Sequence, residues 1–211
     1  MTPTLTGLGE RSHLMSRAIN LDTHITDVVN VFEWERIEGA VLCGHSYGGW
    51  VISGAVETLR SKVSALVFVD AHVPEDGETG METSNNRDRI ELALKCGCMS
   101  IAPPSAAYFK VNKKDREWVD ANLTPQPVGV SQQAIRLTGA REAVETKVYV
   151  RAKFFKSKPF EAYLAKVIGR GGWQTYELSS GHDVMVDRPK RLVEILLHAS
   201  RGAHPSTADA T

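Results

Sequence analysis

Residues 44 to 49 read Gly44-His45-Ser46-Tyr47-Gly48-Gly49, a serine with glycine two positions to either side. They follow the apolar run Ala40-Val41-Leu42-Cys43 and precede a helix-like run over 50–59. Strand, sharp turn, helix is the setting in which Gly-x-Ser-x-Gly acquires chemical meaning. The turn is strained, so small residues must flank the serine, and its hydroxyl is left standing at the top of a sheet. The amide N–H of Tyr47 then points to where an oxyanion would form. Outside that setting the same residues make an ordinary glycine-rich turn.

A serine hydroxyl becomes a useful nucleophile when a base lies within hydrogen-bond reach and an acid orients the base. The best base is His182, in Ser179-Ser180-Gly181-His182-Asp183, on the loop between the last strand and the last helix. His45 adjoins Ser46 and is expected to pack inside the elbow, at the edge of the substrate site. His13, His24 and His72 have no comparable setting. The acid is harder to find. The loop after the strand 147–151 runs Ala152-Lys153-Phe154-Phe155-Lys156-Ser157-Lys158-Pro159-Phe160, with no carboxylate before Glu161, which already lies in the next helix. Asp70 ends the strand that follows the elbow strand, at the carboxyl edge where ligands bind in open α/β sheets. Asp70 is preferred as the acid, with Glu161 as the alternative. Asp183 follows His182 directly and points elsewhere on an ordinary backbone, and Asp76 reads as turn chemistry.

These residues need a sheet to hold them. Apolar residues at Ile25, Val28, Val29 and Phe32 give one helical face over 23–34, with Asp22 as N-cap. Ser64-Ala65-Leu66-Val67-Phe68-Val69 is nearly continuous and apolar, as in a parallel strand buried on both faces. Further strands are expected over 147–151 and 173–178, and helices over 159–168 and 189–199. Strands alternating with helices imply a doubly wound, mostly parallel α/β sheet. Between them, over 74–145, prolines and polar residues loosen the pattern. Short helices over 88–95, 105–109 and 114–122 suit an insertion above the sheet. That divides the chain into a core of 1–73 and 146–200, an insertion of 74–145 and a disordered tail over 201–211.

The chain has 211 residues, enough for one domain with a sizeable core. Its 25 basic and 25 acidic residues give no global attraction to nucleic acid or to an anionic membrane. No apolar stretch approaches the roughly 20 residues that cross a bilayer. The N-terminal Met1-Thr2-Pro3-Thr4-Leu5-Thr6-Gly7 lacks the basic and apolar regions of a signal peptide. Three cysteines suit reduced thiols in the cytoplasm, Cys43 within a buried strand, and Cys96-Gly97-Cys98 has no second ligand pair for a metal. Neither metal nor cofactor is implied. The expected partner is a small-molecule ester, with a homodimer kept open.

The segments Thr2 to Arg11, Leu21-Asp22-Thr23-His24-Ile25 and Gly44 to Gly49 resemble the bacterial α/β-hydrolase esterases related to the plant methylesterase and hydroxynitrile lyase group. Val69-Asp70-Ala71, Pro74-Glu75-Asp76-Gly77, Pro103-Pro104, the stretch 115–120 and Gly181-His182-Asp183 continue the match up to about Ala199. The resemblance implies an α/β-hydrolase fold, a cap after the strand ending at Asp70, and ester hydrolysis through an acyl-serine. The triad of that fold runs serine, acid, histidine along the chain, an order that Ser46, Asp70 and His182 keep. The cap would offer Tyr108, Phe109, Trp118 and Leu123 to substrate or to its own core, and Tyr108 and Trp118 are taken as substrate-binding. The related lyases carry a lysine after the histidine; Asp183 stands there in this chain, against a lyase. Members of the group also carry about thirty earlier residues, with a strand and a His-Gly-rich loop that supplies a second oxyanion N–H. On that pattern the first strands and half the oxyanion hole are missing, and weak turnover with marginal solubility is expected. A catalytically weak or inactive ligand-binding protein of the same fold is the alternative reading.

Overall fold

The computed structural model describes residues 1–84 and 86–202. The tail expected to be disordered lies, from 203 on, outside the described residues. Helix α1 spans Leu21–Trp34 and is started by Asn20, not Asp22. The Asn20 side chain accepts from the Thr23 N–H, and the Thr23 hydroxyl accepts from the Asn20 N–H, a reciprocal box that satisfies donors a helix start leaves open. Leu21, His24, Val28 and Phe32 form its buried face.

Strand β1, Ala40–His45, leads into helix α2, Gly48–Leu59. Strand β2 is Val63–Val69. The chain then forms α3 (Gly80–Thr83), α4 (Arg87–Lys95), β3 (Ser100–Ile101), α5 (Arg116–Asn122) and β4 (Gln126–Pro127) before returning as β5, Thr146–Ala152. Helix α6 (Lys158–Arg170), strand β6 (Gln174–Leu178), the short α7 (Val184–Asp187) and α8 (Pro189–Ser200) complete the fold.

The main sheet is wholly parallel, in the order β1-β2-β5-β6. The alternation of side chains along β2 explains why both faces need helices. Leu66 and Phe68 join a core with α1, α2 and α6, whereas Ala65, Val67 and Val69 join one with α8. Among the described residues β1 pairs on one side only, with β2. Cys43, expected to be buried, is therefore exposed. The run that reads as a fully covered strand has a neighbour along one edge.

Segment 74–145 carries only short elements, with β3 and β4 antiparallel and Ala106, Val111 and Val119 as a small core of their own. Residues 106–110 form a turn where a helix over 105–109 is expected, and Pro103-Pro104 and a short span favour that over helix. The two ends of the segment are fastened together. Buried Arg141 donates from Nη1 to the Pro74 carbonyl at 2.6 Å, and Glu75 pairs with Lys166 and Arg170 on α6.

Candidate functional site

The elbow between β1 and α2 places Ser46 at φ 52°, in the left-handed region. Neighbouring backbone holds that strain. The Ser46 N–H donates to the Val69 carbonyl at 3.2 Å, and its carbonyl accepts from the Gly49 and His72 N–H groups, both at 3.1 Å. Glycine is required because the chains nearly touch. A Cβ on Gly49 would sit 2.0 Å from the His72 carbonyl oxygen, and one on Gly44 would sit 2.5 Å from that of Gly48. Tyr47 caps α2, where the first N–H groups of a helix have no intrahelical acceptor. Its side chain turns away, and its hydroxyl lies 3.0 Å from His24 Nδ1. His24 Nε2 in turn lies 2.9 Å from the Thr6 carbonyl, so the imidazole accepts a hydrogen bond from the Tyr47 hydroxyl on one side and donates one on the other. His24 thus ties α1, the elbow and the N-terminal segment together, a role its sequence position did not reveal.

His182 follows β6 and precedes α7. Its Nε2 lies 2.8 Å from Ser46 Oγ, and its Nδ1 lies 2.7 Å from Asp70 Oδ2. The imidazole is walled by Phe109, Phe155 and Phe160, the last stacked on it with centroids 5.3 Å apart. Its carbonyl accepts from His45 Nε2 at 3.0 Å. Asp70 sits one residue past β2 at φ 41°, with no exposed surface. Burial pushes its carboxyl up to about 6, against the opposing pull of Arg151, the Ala152 N–H and His45. Burial first, and Arg151 second, push the His182 imidazole down toward its neutral form.

The structure thus brings Ser46, His182 and Asp70 into one hydrogen-bonded line. Glu161 stands outside it. It is half exposed in the first turn of α6, and its carboxylate is 3.9 Å from Arg151.

Ser46, Tyr47, His45 and His182 open onto a cavity of about 540 Å³. Leu5, Leu8, Trp50, Ile90, Ile101, Phe109 and Leu123 give it an apolar wall. The two aromatic residues taken as substrate-binding are placed elsewhere. Trp118 is 63% exposed and Tyr108 45%, and neither lines the cavity, whereas Phe109 and Leu123 do. Two residues set aside on the sequence, His72 and Asp183, line the cavity as well. His72 faces the cavity with Nδ1 unpartnered among the described residues, and burial pushes its imidazole down to about 3. Asp183 lies 3.7 Å from His45 Nε2, and burial, with Asp187 and Asp70 nearby, pushes it up to about 6. A second cavity, of about 610 Å³ at the start of β5 and β6, contains none of these residues. Among the described residues no cluster of His, Cys, Asp and Glu is placed to hold a metal ion, and no helix is long and apolar enough to cross a membrane.

The comparisons agree with this architecture. The chain is 36% identical over 207 residues to the carbendazim hydrolyzing esterase of Nocardioides sp. (strain SG-4G), covering 93% of this chain and 86% of that protein. It is 24% identical over 217 residues to a chloroplastic Arabidopsis thaliana protein that carries the name methylesterase 13, of whose length it spans about half (49%). In three dimensions it superposes on an extracellular α/β-hydrolase from a Paenibacillus species with a TM-score of 0.77 at 18% identity, covering 95% of this chain and 86% of that one. The model of the alpha/beta hydrolase family matches residues 1–195. The chain belongs to the alpha/beta hydrolase family.

Proposed function

We propose that this chain is a serine hydrolase of small carboxylic esters, working through an acyl-serine. One observation carries the reading: a buried carboxylate, an imidazole and a serine hydroxyl are linked at 2.7 and 2.8 Å, and the hydroxyl end opens onto an apolar cavity. The resemblance to an esterase at 36% identity supports it.

Ser46 Oγ attacks the ester carbonyl while His182 Nε2 takes the hydroxyl proton. The negative charge gathers on the former carbonyl oxygen, where the Tyr47 N–H meets it. Asp70 keeps the Nδ1–H tautomer and stabilises the imidazolium as it forms. The tetrahedral intermediate collapses, and the proton on Nε2 passes to the departing alcohol. Water then gives a proton to Nε2 and attacks the acyl-serine. The acid leaves, and the proton returns to Ser46 Oγ.

Segment 74–145 acts as the cap that closes the cavity, with His45, Phe109 and Leu123 against the substrate. The three free thiols suit the reducing cytoplasm. Asp183, where the related lyases carry lysine, is unsuited to holding a departing cyanide.

The test is a fluorophosphonate probe, followed by a panel of aryl and alkyl esters that includes methyl esters and carbendazim. One adduct on Ser46, absent in Ser46→Ala, together with ester turnover, is expected. No adduct on the folded parent protein would show that the hydroxyl is not activated and that the protein only binds ligands.

A further inference from the structure

We infer that Arg151 is a positioning residue for the reaction, holding Asp70 in the orientation and charge state that His182 requires. The inference rests on the roles given above to Ser46, His182 and Asp70. Parallel pairing of Val69 with Val150 sets Asp70 and Arg151 side by side, each one residue further along its chain. Arg151 Nη1 donates to Asp70 Oδ1 at 2.5 Å, and the Ala152 N–H donates to the same oxygen at 3.0 Å. Oδ2 is left for His182 Nδ1. With both oxygens engaged from different elements, the carboxylate cannot rotate away from the imidazole.

The guanidinium also shapes the base's surroundings. It donates to the Ala152 and Phe155 carbonyls, both at 2.6 Å, and lies 6.0 Å from the centroid of Phe160. Phe155 and Phe160 are two of the rings around His182. One side chain therefore fixes the acid and the loop that encloses the base.

Charge is the second part of the argument. Asp70 has no exposed surface and Arg151 only 3%. A buried carboxylate without a counter-charge takes up a proton, and a protonated Asp70 no longer stabilises an imidazolium. The other titratable groups facing the pair are His182 itself, His45, His72, Asp183 with Asp187, Tyr149, whose hydroxyl donates to the Ala71 carbonyl, and half-exposed Glu161. None of these is a permanent cation. Lys153, Lys156 and Lys158 of the adjoining loop are exposed. Loss of the guanidinium raises the proton affinity of Asp70 and of His182 alike. The working form, with Asp70 ionised and His182 neutral, then emerges at higher pH.

The experiment compares the pH profile of kcat/KM for an aryl ester in the parent, Arg151→Gln and Arg151→Lys. Rates are taken per serine labelled by fluorophosphonate at alkaline pH. Both variants keep side-chain donors, and only the lysine keeps the charge. Arg151→Gln is expected to move the acid limb upward by about one pH unit, losing about fivefold near pH 6 and about tenfold below pH 5 while its alkaline plateau stays within about threefold. Arg151→Lys keeps the limb in place and lowers the plateau slightly. An equal loss at every pH in Arg151→Gln, with the limb unmoved, would leave Arg151 a purely structural residue and overturn the inference. If the glutamine variant does not fold, the lysine variant decides, since a shifted limb there also overturns it. Asp70→Asn in the same series separates the two readings. If it is nearly inactive and the glutamine limb does not move, this inference alone falls. If it is fully active, the assignment of the acid falls as well.

Discussion

The two sides of Ser46 are built from different material. Toward the sheet, Asp70, Arg151 and His182 are each 3% exposed or less, and strand pairing, buried ion pairs and stacked rings fix them several times over. Toward the cavity the walls are an N-terminal segment, a nine-residue α4, a seven-residue α5 and turns. The proposed proton relay thus sits at the carboxyl ends of strands tied into one parallel sheet, and the proposed substrate contacts on pieces too short to be stable alone. A relay tolerates little displacement, whereas a substrate wall gains from being replaceable.

The sharpest break of this contrast is Asp70→Asn. On the sheet side it should lower kcat about 10³–10⁴-fold through the wrong imidazole tautomer. Glu161→Gln, outside the line, should cost less than about threefold, and the reverse ranking in steady-state kinetics would transfer the role to Glu161. Acid should act through the same side. With Asp70 raised to about 6, protonation removes the orienting charge as pH falls through that value, so kcat/KM should drop about tenfold per unit below it and level off above. A profile flat down to pH 4 would contradict the buried pair.

Gly49→Ala drives a methyl group into the His72 carbonyl and should destabilise the fold by about 3 kcal/mol or more, lowering Tm by roughly 6–12 °C. Gly48→Ala, whose added methyl meets nothing within 4 Å, should melt with the parent or slightly above it. Equal melting of the two variants by calorimetry would remove the argument from close approach. The smallest effects belong to the cavity side. Leu123→Ala should raise KM for an apolar ester by about three- to tenfold, and exposed Trp118→Ala should leave it unchanged.

The same contrast decides how much could be read in advance. Ser46 and Asp70 were legible because each follows a strand with a strong apolar signature, and His182 because Gly181-His182-Asp183 stands on the loop between the last strand and the last helix. Arg151 was not, since its meaning depends on β5 lying next to β2 with Val69 opposite Val150, and register is a property of paired strands. Asn20 took the cap from Asp22 because Thr23 closes a box with the former. Trp118 could not be oriented, for a helix of seven residues shows too little periodicity to say which side faces inward. Cys43 required knowing that β1 pairs along one edge only, which the apolar run alone does not tell.

The fastening of Arg141 to the Pro74 carbonyl has a consequence for how such a protein can change over generations. Everything between those residues leaves the sheet and returns to it at one clamped point. The entropy of closing such an excursion grows only with the logarithm of its length, about 0.6 kcal/mol for each doubling. A lineage could lengthen, shorten or exchange the whole excursion, and with it the shape of the molecules admitted, while the strands beneath keep their register and the chemistry its place.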